Sequence, residues 1–561
     1  MSNSKNKGKG IILYALLLIA AFSFRVALAR WFPNEEPVDS QVYAQLARNI
    51  LEHRVYSPAL EPPYQPSIIR VPGYPLFLAG IYSVFGIENN AAVRIVQAVV
   101  DTLTCGLIAL IAFLWDPNQK RKRRTSIAAL FLAAVCPFTA IYVATVLPET
   151  LLMFFSMAAC LTGTLAFKAK AQKSVALLWA AAGLLAGAGV LVRPDTGLVA
   201  AALLITLVVA TLARKSEATF ISKRDEMLFR FARASYLGSL LCLTFSLALV
   251  PWALRNHRIF KVFQPLAPAY AVMPGEFVPR GYFAWLRTWV NDSRYVGQTI
   301  WSLDEYPIKL EELPEHAFDS PEEKLRIATL LEKYNNAPGS TDPFGDDESL
   351  DEPPPGDQND PQEETELETD PQEEAVEERE EINPAQEQLA TEAEDSAEQN
   401  TTQLVQMTPE IDAGFARIAT ERIARNQFRY YLLLPFRRGV SLWFDTHSQY
   451  YPFEGQLLPF DNLDAKSHQQ IWLPIFALLT LVCSLLGIQG GRELWQSGEF
   501  EARRWLLLVS LLFLLRIGYF ATLENPEPRF TVVLFPFLSI LGGIALTSFL
   551  NEITSRKRAS K

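Results

Sequence analysis

"AVRIVQAVVDTLTCGLIALIAFLW", residues 92–115, followed by "DPNQKRKRR" at 116–124, decides the fold. About 20 apolar residues in a helix cross a hydrocarbon core of roughly 30 Å. This run is that long, and it ends in a dense basic cluster of the kind that short cytoplasmic loops carry. Apolar runs of similar length fall at 11–30, 126–144, 148–167, 175–192, 197–213, 236–254, 471–489, 505–521 and 530–549. Half of the 561 residues are hydrophobic, with 35 Phe and 11 Trp, which excludes an ordinary soluble enzyme. The pattern predicts an all-α polytopic membrane protein with about ten transmembrane helices. The first run ends in Ala27-x-Ala29, a pattern seen at cleaved signals. Its length and Arg25 predict a retained anchor instead.

All five cysteines (Cys105, Cys136, Cys160, Cys242 and Cys483) lie inside these runs, so neither a disulfide framework nor a cysteine zinc site is expected. The five histidines show no HExxH spacing.

The net charge of −10 is a local effect. Residues 342–398 hold 24 acidic residues against Arg379 alone, and the rest of the chain carries 50 basic and 37 acidic residues. With ten spans, the basic segments "SKNKGKG" (4–10), "NQKRKRR" (118–124), "KAKAQK" (168–173), 214–233, "EARR" (501–504) and "SRKRASK" (555–561) all fall on one side. That side is expected to be cytoplasmic, with both termini in it. The other side, periplasmic if the chain sits in an inner membrane, receives 31–91, "LPET" (147–150), "RPDTG" (193–197), about 255–470 and "ENPEPRF" (524–530).

Five regions follow. Residues 1–254 form an N-terminal membrane body of about seven spans, with the first outer loop at 31–91. Residues 255–339 form an aromatic outer-face segment. Residues 340–400 are an acidic insert with "DPQEE" at 360–364 and again at 370–374, too polar to bury a core and expected to be disordered. Residues 401–470 include "RYYLLLPFRRGVSLWF" (429–444), too short and basic to span and read as an interfacial amphipathic helix. Residues 471–561 form a C-terminal body of about three spans.

The outer face gathers carboxylates. Asp39 opens an apolar helical stripe of Val42, Leu46 and Ile50, at or near the N-cap. It reads as a cap and as an ionised general base, and the two roles are compatible. Glu149 stands in the first turn after Pro148, and Asp195 follows Arg193 with a local ion pair or cap as its plain reading. Arginines gather there too: Arg70, Arg94, Arg193, Arg255, Arg258 and Arg529. Any one of them could simply snorkel. As a set they suit a phosphate, because the guanidinium fork matches its oxygens. No Walker motif or glycine fingerprint is present, and no nucleic-acid partner is expected.

In their order and sidedness these pieces resemble the GT-C membrane glycosyltransferases, in the group of protein O-mannosyltransferases and lipid A aminoarabinose transferases. The matching pieces are "DSQVYAQLARNI" (39–50), "RVPGYPLFLAGIYSVFG" (70–86), "LPET", "VRPDTG", "VPWALRN" (250–256) and the late "PRF". The resemblance implies inverting transfer of a sugar from a polyprenyl-phosphate donor to a lipid, glycan or protein acceptor. It implies Asp39 and Glu149 as the catalytic pair and Arg70, Arg193 and Arg255 as donor-phosphate ligands. Tyr43, Tyr74, Asp195 and Arg529 stand as supporting residues. No cofactor is fixed, though two carboxylates could hold a divalent metal, as in some GT-C enzymes. One departure is Ser40, where protein O-mannosyltransferases carry the second acid of an Asp-Glu pair. The competing class is a transporter or flippase of a phosphate-bearing lipid, for which Asp101 inside a span would be the telling residue.

Overall fold

The computed structural model describes residues 2–32, 38–214, 222–291, 293–337, 405–444 and 468–559, with single positions between 451 and 466. The acidic insert at 340–400 lies outside the described residues.

A segment surrounded by lipid must satisfy its own backbone groups, and helices do so. Among the described residues the long elements are all helices, and nine helices are long and apolar enough to cross a membrane. They are α1 (Ser2–Trp31), α4 (Asn90–Trp115), α7 (Glu149–Lys168), α8 (Gln172–Val192), α9 (Gly197–Ala213), α10 (Lys223–Phe260), α15 (Gln469–Gln496), α16 (Phe500–Ala521) and α17 (Phe535–Ala559). The apolar run at 126–144 is not a straight span. It is α5 (Lys122–Ala134) and the short α6 (Pro137–Ala140) with the turn after it, bent by 54°. Pro137 sits at that break, where it cannot donate to the preceding turn. Counted as one crossing, this pair makes the tenth.

α4 is central and packs on α1, α5, α7 and α17. Trp115 at its end stacks on Trp505 of α16 at 5.1 Å and donates to Thr164 of α7 at 3.0 Å. α8 lies closely along α10: a Cβ on Gly183 or Gly187 would run into the carbonyls of Leu241 and Phe245. Small residues four apart let two membrane helices approach this closely.

Two shorter helices, α2 (Val38–Glu52) and α3 (Gly73–Phe85), pack on each other between α1 and α4. The segment that follows α10 has its own core, which gathers Tyr282, Trp285, Trp289, Ile327 and Phe415. It is built on α11 (Arg280–Leu286), α12 (Pro321–Asn335) and α13 (Pro409–Arg425). The stretch expected as an interfacial helix is a wide turn at Arg429–Leu433 followed by α14 (Leu434–Phe444), with Phe428, Tyr431 and Phe436 exposed. Buried Arg438 of α14 ties this segment to the membrane body, donating to the carbonyls of Val290 (2.7 Å), Arg287 and Ala521.

The acid inside a span is paired. Asp101 of α4 bonds Arg25 of α1, and both are buried. Arg25 also donates to the carbonyls of Ala133 and Ala134, joining α1, α4 and α5. Arg25→Met should cost about 3–5 kcal/mol, because it strands a buried carboxylate. The double variant Arg25→Met/Asp101→Leu should recover most of that loss. Thermal unfolding in detergent checks this, and equal losses in both variants would contradict it.

Candidate active site

The loop between α1 and α4 carries the site's most open carboxylate. Asp39 is the second residue of α2, one step inside the helix rather than its cap. Its oxygens accept from Arg70 at 2.7 Å and from Arg529 at 3.5 Å. Burial alone would raise its pKa. Arg529 and Arg70 outweigh burial and hold the carboxyl below the usual range.

The "RVPGYP" turn places Arg70. Tyr56 donates its hydroxyl to the carbonyls of Arg70 (3.1 Å) and Val71 (3.2 Å). Gly73 opens α3 where a Cβ would stand 2.6 Å from the Leu191 carbonyl of α8. Only a glycine lets this turn lie against the end of α8, next to Arg193. Tyr74 is buried and donates to Gln97 at 2.8 Å, and Gln97 in turn holds the Thr145 carbonyl at 2.7 Å. Tyr74 therefore braces the loop that leads into Glu149.

A second chain of ion pairs runs deeper. Glu149, the first residue of α7, pairs with Arg193. Arg193 lies 3.3 Å from Asp195, which accepts from Arg516 of α16 at 2.6 Å. Phe530 joins the two halves. The guanidiniums of Arg193 and Arg529 lie over its ring at 5.3 and 5.6 Å, and its carbonyl accepts from Arg516. Arg529 also pairs with Glu527, whose pKa is raised by burial, only partly offset by Arg529. Tyr43 sits among Arg70, Asp39, Arg193 and Glu149, and burial pushes its pKa up to about 12, so its hydroxyl stays protonated.

Of the nine residues expected here, the structure brings Asp39, Arg70, Arg529, Glu149, Arg193, Asp195 and Tyr43 together, with Tyr74 behind them. Arg255 lies apart. It donates to the Ser67 carbonyl at 2.6 Å, and Trp252 and Tyr56 hold its guanidinium at 4.9 and 5.4 Å. It braces the loop before Arg70 rather than meeting the carboxylates. Arg516, Glu527 and Phe530 were not singled out by sequence. The usable signal was Arg516, a lone cation within the apolar run 505–521.

Among the described residues no three His, Cys, Asp or Glu side chains converge. Asp39, Glu149, Asp195 and Glu527 each already face a guanidinium. That donor set does not fit a divalent cation.

Gly73→Ala tests the geometry. The added methyl must push the turn off α8, at about 1–3 kcal/mol, and loosen Arg70 from Asp39. A lowered melting temperature is expected, and an unchanged one would show that the approach to Leu191 is not needed.

Residues 65–252 match the family described as dolichyl-phosphate-mannose-protein mannosyltransferase. The match includes Arg70, Glu149, Arg193 and Asp195 and stops short of Asp39, Arg255 and Arg529. No curated protein matches the chain. Among solved structures, the archaeal oligosaccharyltransferase AglB of Archaeoglobus fulgidus, in complex with an inhibitory peptide and a dolichol-phosphate, is 13% identical with a TM-score of 0.45. That overlay covers 97% of this chain and 51% of that one. The same enzyme tethered to an acceptor peptide gives 13% identity, a TM-score of 0.46, and coverage of 96% and 50%. ArnT of Cupriavidus metallidurans, bound to undecaprenyl phosphate, gives 12%, 0.34, and 96% and 78%. The chain spans about half the length of the oligosaccharyltransferase. Over residues 65–252, about a third of the chain, the membrane body is therefore similar to the dolichyl-phosphate-mannose-protein mannosyltransferase family.

Proposed function

We propose that the protein is an inverting glycosyltransferase that moves a sugar from a polyprenyl-phosphate donor to an acceptor on the outer face of an inner membrane. The observation that carries this reading is Asp39, an exposed-side carboxylate kept ionised between Arg70 and Arg529. The family matched over 65–252 is named for a donor of this class. Sidedness rests on the six basic segments, which alternate with the site-bearing loops once the bent α5–α6 pair counts as one crossing.

The chemistry follows from charge. The acceptor's nucleophilic atom attacks the anomeric carbon from the side opposite the phosphate. The bond from that carbon to the phosphate oxygen breaks, and its electron pair leaves with the polyprenyl phosphate. Asp39 takes the acceptor's proton. Within the cluster four arginines (Arg70, Arg193, Arg516, Arg529) meet four carboxylates (Asp39, Glu149, Asp195, Glu527). The site is balanced before the donor arrives. As Asp39 becomes neutral, the leaving phosphate gains a negative charge. Arg70 and Arg529 are then released from Asp39 at the moment the phosphate needs them. Arg255 supports the Arg70 loop in this scheme.

The transporter alternative loses its main support, because Asp101 is spent on Arg25.

Purified protein is incubated with a panel of polyprenyl-phosphate sugars, and release of polyprenyl phosphate is measured. Asp39→Asn removes the basicity and should lower turnover by about two to four orders of magnitude with the fold intact. Near-normal turnover by that variant would remove Asp39 from the mechanism.

Orientation has its own test. A cysteine at exposed Leu60 should react with an impermeant thiol reagent on intact cells, and one at Gln119 should react only after permeabilisation. The reverse pattern would put the site in the cytoplasm.

A further inference from the structure

Three atoms in the deeper ion-pair chain have no partner. Glu149 meets Arg193 through Oε1, and its Oε2 is buried without a hydrogen bond. Arg193 and Arg516 both turn to Oδ2 of Asp195, at 3.3 and 2.6 Å, leaving Oδ1 buried and unpartnered. Arg516 spends Nη2 on Asp195 and Nε on the Phe530 carbonyl, and its Nη1 is unpartnered as well. The Glu149, Asp195 and Arg516 side chains are 2%, 9% and 2% exposed. Native proteins rarely leave buried polar atoms unmet, and a gap of this kind marks the place of a ligand or a bound water.

The donor set restricts what fills it. Two carboxylate oxygens ask for donors, and a guanidinium N–H asks for an acceptor. A metal ion would suit the carboxylates but stand against Arg516. A phosphate would suit Arg516 but stand against both carboxylates. A hydroxyl answers both demands, since its O–H donates and its oxygen accepts. A sugar ring carries several hydroxyls on adjacent carbons.

We infer that Glu149 and Asp195 read the donor's sugar: hydroxyls of the transferred unit donate to Glu149 Oε2 and Asp195 Oδ1, and Arg516 Nη1 donates back to one of them. This rests on the polyprenyl-phosphate donor reading above and narrows it to specificity residues. Arg193 becomes the pivot between two tasks. One side of it fixes the sugar-reading acids, and Phe530 links it to the Arg529–Asp39 pair where the bond breaks.

The test uses the full-length protein, the best donor from the panel, and its monodeoxy analogues, each lacking one ring hydroxyl. A site built to hydrogen-bond a hydroxyl rejects the analogue without it by as much as about 10⁴-fold in kcat/KM. Wild type should reject at least one monodeoxy donor by about 100-fold or more. Glu149→Gln and Asp195→Asn turn one acceptor into a donor and should each lose activity on the parent sugar. Each should show little further loss on the monodeoxy donor whose hydroxyl that residue reads. Equal losses on parent and deoxy donors would overturn the inference and leave a buried water as the occupant. So would a wild type that transfers every monodeoxy sugar within about tenfold of the parent, a result that needs no variant to fold. If wild type transfers none of the parent sugars, the donor reading itself has failed and this inference falls with it.

Discussion

Much of the structure is organised by one demand: a buried arginine needs carboxylates or carbonyls to replace the water that would otherwise solvate it. Arg193 shows this most clearly. It sits where α8 ends and faces Glu149 from α7 and Asp195 from the turn into α9. Asp195 then draws in Arg516 from α16. This chain of pairs thus fixes the relation of four membrane helices at one shared end. The Arg25–Asp101 pair does the same for α1, α4 and α5 inside the bundle. The first network is part of the candidate site and keeps unmet atoms. The second is closed on itself and serves packing.

This division explains why the loop between α1 and α4 is shaped as it is. α2 is amphipathic and α3 is a short apolar helix, and neither counts among the spans, so their position depends on specific contacts. Gly73 supplies a close approach to α8, Tyr56 holds the successive carbonyls of Arg70 and Val71 at the start of the turn, and Arg255 anchors the loop before it. Together they hold Arg70 against Asp39.

Much of this was legible in the residues. Ten apolar runs gave the crossings, because spans have a fixed length and composition. The bend at Pro137 was hidden, since a proline in a long apolar run is compatible with a straight span. Asp39, Arg70, Glu149 and Arg193 could be grouped because each lies in a loop or at a span end expected on the same side. Arg255 fits the same rule yet sits among aromatic rings, a tertiary arrangement that span-end position does not encode. Glu527 and Phe530 lie within the quoted "ENPEPRF" but, unlike Arg529, do not stand out there, because nothing local shows that this short loop folds back so far into the site. The acidic insert and the chain around 445–462 lie outside the described residues.

The central claim is that Asp39 acts as a base held ionised by two arginines. The pH dependence of kcat/KM, compared between wild type and Arg529→Gln, tests it most directly. A base works only when deprotonated, so activity is lost as pH falls through its pKa. In wild type that loss should lie below the ordinary carboxylate range, as the lowered pKa of Asp39 requires. In Arg529→Gln the largest opposing charge is gone and burial remains. The acid limb should then move to higher pH. An acid limb at the same pH in both proteins would contradict the account.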